Sequence, residues 1–157
     1  MIVDLVRNDL SKTAKKGSVK VEELFGIYSF PTVHQMISTI SSEIEEKHHV
    51  IDVIKSVFPM GSMTGAPKIK AMELIEKYET KKRGLYSGTL GYIDPDGDFD
   101  FNVIIRSLLY NSKSHYLSFT VGSAITSQSE PLREYEECLV KAKALFELFN
   151  PNPTGTA

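Results

Sequence analysis

Residues 130–149 carry Leu132, Tyr135, Leu139, Ala142, Phe146 and Phe149 at alternating spacings of three and four, with Pro131 in the first turn. That period predicts an amphipathic helix, the strongest in the chain, whose apolar stripe needs another element to cover it. The segments before it have a different character. Residues 85–93, 99–110 and 116–121 read as strands joined by Asp94-Pro95-Asp96-Gly97 and by residues 111–114, a meander of antiparallel pairs. A run of strands flanked by helices predicts an α+β fold, an antiparallel sheet covered by helices.

The first half repeats that alternation. Ile2, Val3, Leu5, Val6 and Leu10 form a helical stripe over residues 1–10 with no N-cap before it, and a domain that starts mid-helix is expected to be a piece of something longer. Residues 11–16, rich in lysine and closed by Gly17, predict a solvated loop. Residues 19–24 predict a short strand and residues 34–44 a firmer one. Residues 50–58 have helical spacing and stop at Pro59. Residues 69–79 are amphipathic through Ile69, Met72, Ile75 and Tyr78, with Pro67 suited to the first turn and Arg83-Gly84 ending the segment. Residues 150–157 predict a frayed tail.

Composition narrows the function classes. The 157 residues include 18 Lys+Arg against 20 Asp+Glu, so no basic field awaits nucleic acid and no polybasic arm a membrane. At 41% hydrophobic the chain is too apolar for disorder, yet no apolar run approaches the length needed to span a bilayer. A single cysteine excludes an intramolecular disulfide framework and a cysteine-based zinc site, and it suits a reducing cytoplasm. Asp4, Arg7 and Asp9 rule out a secretory signal at the N-terminus.

Three places can carry chemistry. Gly61-Ser62-Met63-Thr64-Gly65-Ala66-Pro67-Lys68 opens a helix: small residues allow close approach, first-turn N–H groups favour an anion, and Ser62 and Thr64 add hydroxyl donors. Its spacing does not fit a nucleotide P-loop, and an ordinary helix entry is the competing reading. Arg106 interrupts the apolar run 103–110, sharing a strand face with Ile104 and Leu108, so its guanidinium must be paired with a ligand carboxylate or with a carboxylate of the protein. Glu134, Glu137 and Lys141 share one face of the last helix; the two carboxylates could hold Mg²⁺, or Glu137 and Lys141 could form a solvated pair. His34 opens a strand in polar company, where a surface histidine is the bland reading. Asp94, Asp96 and Asp98 fit a hairpin turn better than a calcium loop.

Taken in order, Met1-Ile-Val-Asp-Leu-Val-Arg-Asn-Asp-Leu10, Val33-His-Gln-Met-Ile-Ser38, Phe58-Pro-Met-Gly-Ser-Met-Thr-Gly-Ala-Pro-Lys68, Arg83-Gly-Leu-Tyr-Ser-Gly88, Ile105-Arg-Ser107 and Glu134-x-x-Glu-x-x-x-Lys141 resemble the C-terminal part of the chorismate-utilising enzymes. The resemblance implies an α/β sandwich of the anthranilate synthase component I type, of which residues 1–157 would be a partial chorismate-binding domain. It implies a chorismate pocket lined by Gly61, Ser62, Thr64 and Gly65, with Tyr86 and Arg106 on substrate carboxylates. Gly122, Ser123 and Ala124 match the family's glycine-rich segment, whose N–H groups also bind carboxylate. Glu137 matches a Mg²⁺ ligand with Glu134 beside it, Lys141 a lysine near the substrate, and His34 an acid/base histidine of the aminating members. Ser123 and Ala124 replace glycines usual in the family, and Cys138 a common threonine.

Residues 33–38 and 122–125 resemble the aminodeoxychorismate-forming (para-aminobenzoate) branch. The implied reaction is amination of chorismate to 4-amino-4-deoxychorismate, in folate synthesis, with ammonia from a glutamine amidotransferase subunit or domain. The alternatives are the anthranilate branch and a non-catalytic binding remnant. Family members are two to three times this length, so the chain is expected to be an inactive fragment whose exposed sheet edge could drive homo-oligomers.

Overall fold

The computed structural model describes residues 1–31 and 34–149. The expected tail at 150–157 and Val33 lie outside these. The chain divides into two compact units, Met1–Lys82 and Arg83–Ala157.

In the first unit, helix α1 spans Ile2–Ser11. Strands β1 (Lys20–Ser29) and β2 (His34–Ser41) form an antiparallel hairpin, with register shifts between Val21 and Glu23 and between Glu23 and Gly26. The strand expected at 19–24 therefore runs on to Ser29, carried past the irregularity at Phe25, whose φ is +59°. Helix α2 spans Val50–Val57, and His49 caps it: the ring Nδ1 accepts from Ile51 N–H while Asp52 accepts from His49 N–H, a reciprocal capping box. A 3-10 turn at Gly61–Met63 leads to helix α3, Lys68–Tyr78. Pro67 is the N-cap of α3, one residue earlier than expected.

Val3 and Val53 are the buried apolar residues of this unit, and Gly61 is buried with them. Gly61 sits against α1 so closely that an added Cβ would lie 3.1 Å from Leu5 Cβ and 3.5 Å from Ile2 Cδ1. That approach is why a glycine stands there.

In the second unit, β3 (Thr89–Ile93) pairs antiparallel with β4 (Phe99–Val103), and β5 (Leu109–Asn111) pairs with β6 (Tyr116–Ser118). Among the described residues the strands form three separate two-stranded sheets, one in the first unit and two in the second. The expected strand at 99–110 is thus two strands, and those at 85–93 and 116–121 are shorter. After Val103 the pairing continues only through Ile104, which exchanges bonds with Ser87 and Gly88 at 2.9 Å each, and Arg106 then turns to φ +50°. At that left-handed position the chain leaves the ladder, and strand pairing resumes only at Leu109. Asp94 Oδ1 accepts from Asp96 and Asp98 N–H, fixing the hairpin turn.

Helix α4 spans Pro131–Glu147. Its inward face is not the expected stripe: Ala142 (2% exposed) and Leu145 (8%) are buried, and Glu134, Cys138 and Lys141 are half-buried beside them. These five share one side of a 3.6-residue helix. Leu132, Tyr135, Leu139, Phe146 and Phe149 are exposed instead, although Phe146 packs edge-on against Phe119 at 5.3 Å between ring centres.

Candidate functional site

The second unit gathers Tyr86, Gly122, Ser123, Glu134, Glu137 and Lys141. Tyr86 lies in the turn after Arg83, its N–H bonded to Arg83 O at 3.1 Å, and the Arg83 guanidinium stands over its ring at 6.0 Å from the centre. Arg83 also donates to Ser87 Oγ at 3.2 Å, so it holds both the ring and the turn. A Cβ on Gly122 would come within 2.7 Å of Tyr86 Oη, so the backbone and the phenol are nearly touching. Neither Ser123 nor Ala124 has a positive φ, so both replace glycine without backbone strain.

From the helix side, Lys141 Nζ donates to Gly122 O at 3.0 Å and pairs with Glu137 Oε1 at 2.6 Å. Ser123 Oγ donates to Glu134. The Lys141 ammonium, by hydrogen bond first and by charge second, holds the Glu137 carboxyl below the usual glutamate range; slight desolvation opposes it and the Ser123 hydroxyl adds to it. Glu137 is therefore a carboxylate at neutral pH. Two carboxylates, a hydroxyl and an ammonium thus meet a glycine backbone segment.

Among the described residues no cluster of three His, Cys, Asp or Glu side chains could cage a metal. Two carboxylates are nonetheless a fitting set for Mg²⁺, which keeps waters and ligand oxygens and rarely takes more than one or two protein carboxylates. Glu134 and Glu137 are the residues that would hold it.

Arg106 departs from its expected place. It is exposed, lies outside any strand, and makes no hydrogen bond or ion pair among the described residues. The apolar run around it is broken into two hairpins, so the period-2 face with Ile104 and Leu108 does not exist.

The first unit holds the remaining candidates. In the Gly61–Met63 turn, Met63 N–H returns to Met60 O at 3.0 Å and Thr64 N–H to Gly61 O at 3.3 Å. Thr64 Oγ1 donates to Met60 O at 3.1 Å, so its hydroxyl stabilises the turn and is not a free donor, contrary to expectation. Ser62 is exposed and Gly65 half-buried. The first N–H of α3 to bond back is that of Ala71, to Pro67 O, which leaves the first-turn amides without intrahelical partners. His34 is exposed at the end of the hairpin, its Nδ1 2.9 Å from Ser29 Oγ.

Reasoning from sequence passed over Arg83, whose signal was the Arg-x-x-Tyr spacing of a single turn. It also passed over Asp9 and Lys68. Asp9, 5% exposed at its side chain, pairs with Lys68 and with Lys12; an acid on an otherwise apolar helix face was the available signal.

Comparison with known proteins places these residues in a family described as chorismate binding enzyme. The family of that description matches residues 1–147, and the chain belongs to it. Relatives named as aminodeoxychorismate synthases include ones at 46% and at 39% identity. That of Arabidopsis thaliana is 41% identical over 144 residues, 92% of this chain and 16% of the relative. Anthranilate synthase component 1 of Aquifex aeolicus is 40% identical over 147 residues, 94% of this chain and 29% of the relative. The crystal structure of anthranilate synthase component I from Streptococcus pneumoniae TIGR4 superposes with a TM-score of 0.80 at 32% identity, covering 92% of this chain and 33% of that one. The chain spans between 16% and 32% of the length of the curated relatives it matches. Among the described residues no helix is long and apolar enough to cross a membrane.

Proposed function

We propose that the chain is the chorismate-binding part of an aminodeoxychorismate synthase, which aminates chorismate to 4-amino-4-deoxychorismate in folate synthesis. Ammonia would come from a glutamine amidotransferase subunit or domain, in a cytoplasmic setting. The observation that carries this reading is the convergence of Tyr86, Gly122, Glu134, Glu137 and Lys141 in a chain of this family. Chorismate is a dianion, and its recognition needs N–H groups and cations at its carboxylates. The segment of Gly122, Ser123 and Ala124 offers backbone N–H groups, Tyr86 a phenol and Lys141 an ammonium. Glu134 and Glu137 would hold Mg²⁺, which when bound neutralises a substrate carboxylate and makes the ring more electrophilic as its hydroxyl departs. In the reaction a C–O bond breaks, a C–N bond to ammonia forms, and water leaves. His34 is the acid/base candidate and Arg106 a further carboxylate ligand; their exposure leaves both reachable by a ligand.

The test is calorimetric titration of the chain with chorismate, with and without Mg²⁺, followed by product analysis with ammonia present in a chimera that joins the chain to the remaining part of an aminodeoxychorismate synthase relative. Magnesium-dependent binding weakened at least tenfold by Glu137→Gln, with 4-amino-4-deoxychorismate as product, is the expected result. Pyruvate released with fluorescent anthranilate would move the chain to the anthranilate branch, which the Aquifex relative favours. Binding without turnover would leave a binding role alone.

A further inference from the structure

The segment between α2 and α3 contains the Gly61–Gly65 loop, and its two ends are drawn together by side chains of α1 and α3 that meet main-chain carbonyls of α2. Lys68, the first residue of α3, directs its ammonium to Asp9 of α1 and donates to Val57 O, the last residue of α2, at 3.3 Å. Lys12, at the C-terminus of α1, binds the other Asp9 oxygen at 2.9 Å and donates to Ser56 O at 3.4 Å. Two ammonium groups thus share one carboxylate while each meets a carbonyl at the end of α2, where the main chain leaves acceptors unpaired and the helix dipole favours cations. The network is sheltered: the Asp9 side chain is 5% exposed and that of Lys68 15%.

On α3 the inward residues are Lys68, Ala71 and Ile75, one helical side, whereas Ile69 and Tyr78 face out. The lysine therefore points toward α1 and α2 because of where α3 docks. Between the clamped ends, Gly61 is pressed onto Leu5 of α1, the helix that also carries Asp9. The loop is held at three points by one helix and its partners.

We propose that Asp9 and Lys68, supported by Lys12, are positioning residues that clamp the Gly61–Gly65 loop in shape, and that Lys68 does not itself contact the bound anion. A lysine directly after a glycine-rich anion loop invites the opposite reading. Its ammonium is already satisfied by a sheltered carboxylate and a carbonyl, and recruiting it to a ligand would leave Asp9 with Lys12 alone. The inference rests on the proposed function only where it calls the loop part of a substrate site.

The experiment is amide hydrogen exchange on the 157-residue chain without ligand, read at residues 61–66 and, as a control, at the middle of α1 and α4, with chorismate affinity measured separately. The key variant is Asp9→Asn/Lys68→Met, which leaves neither partner of that pair charged and alone. The expected result is intact protection in α1 and α4 with loop exchange at least tenfold faster, while Lys68→Arg stays within about threefold of wild type. If wild type binds chorismate, the double variant should bind at least tenfold more weakly and Lys68→Arg nearly as well as wild type. Wild-type loop exchange in the folded double variant would overturn the clamp. Global unfolding of the double variant would overturn it too, because the pair would then hold the fold and not the loop. Loss of loop protection in a chain that never binds chorismate would keep the clamp and remove the proposed function.

Discussion

Lys141 binds the main-chain carbonyl of Gly122 at 3.0 Å with the same ammonium that pairs with Glu137 at 2.6 Å. A side chain from α4 thereby fixes a backbone segment with its carbonyl turned toward the helix, and the carboxylates of Glu134 and Glu137 are brought to that same segment. Lys141 is thus as much a brace for the 122–124 backbone as a charge available to an anion.

Replacing that brace has a readable electrostatic consequence. In Lys141→Met the Glu137 carboxyl should rise toward the ordinary glutamate value of about 4.3, because its principal stabilising donor is gone. A folded pKa below the unfolded one contributes stability above the unfolded value and loses it as pH falls through the lowered folded value. The pH-dependent part of the stability gap between wild type and variant should therefore be full near neutral pH, shrink as pH falls from the unfolded value through the lowered folded one, and be absent below it. Carboxyl-carbon NMR titration and urea midpoints at several pH values measure both effects; an unmoved Glu137 titration would show that Lys141 is not its cause.

Ser123→Ala should cost about 1 kcal/mol of folding stability, the usual worth of a hydrogen bond to a partly buried carboxylate with some screening by solvent. Under the proposed assignment of Mg²⁺ to Glu134 and Glu137, magnesium affinity should fall with it, since Glu134 loses the donor that orients it. Chemical denaturation with and without Mg²⁺ is the check, and identical midpoints in both conditions would remove Ser123 from the site.

Gly122→Ala places a methyl 2.7 Å from Tyr86 Oη, closer than carbon and oxygen tolerate. Overpacking of this kind destabilises by about 1–3 kcal/mol. Tyr86→Phe removes the obstructing oxygen, so the same substitution should cost less in that background. A double-mutant cycle by thermal unfolding tests this, and simple additivity would mean the two residues do not touch.

His49→Ala removes one half of the capping box on α2 and should lower stability by about 1 kcal/mol. His49→Asn, which keeps a side-chain acceptor at the cap, should recover most of that loss. Equal destabilisation by both variants would assign the effect to the ring's packing.

Local periodicity made the helices legible. α1, α2 and α4 lie within a residue or two of where stripe, proline and cap residues place them, because hydrogen bonds and side-chain sterics within a helix are set by neighbours in sequence. The strands were less so: residues 99–110 read as one strand, yet the ladder stops at Val103 and a new one starts at Leu109, since pairing partners and not propensity decide where a ladder stops. Phe25 shows the same, an apolar residue in a left-handed turn inside a strand.

Residue types in order were sufficient to point to the family and to name Tyr86, Gly122, Glu137 and Lys141 as a set. Which side of each helix faces inward was a tertiary outcome. On α4 the larger apolar stripe looks outward while Glu134, Cys138, Lys141, Ala142 and Leu145 turn in, because small Ala142 permits close approach and the bonds to Gly122 and Ser123 need Lys141 and Glu134 on that side. On α3 the same choice turns half-buried Lys68 against Asp9, residues far apart in the chain that no spacing rule connects. Sequence fixes contacts that a few neighbouring residues can make alone; those between distant segments exist only once the helices have docked.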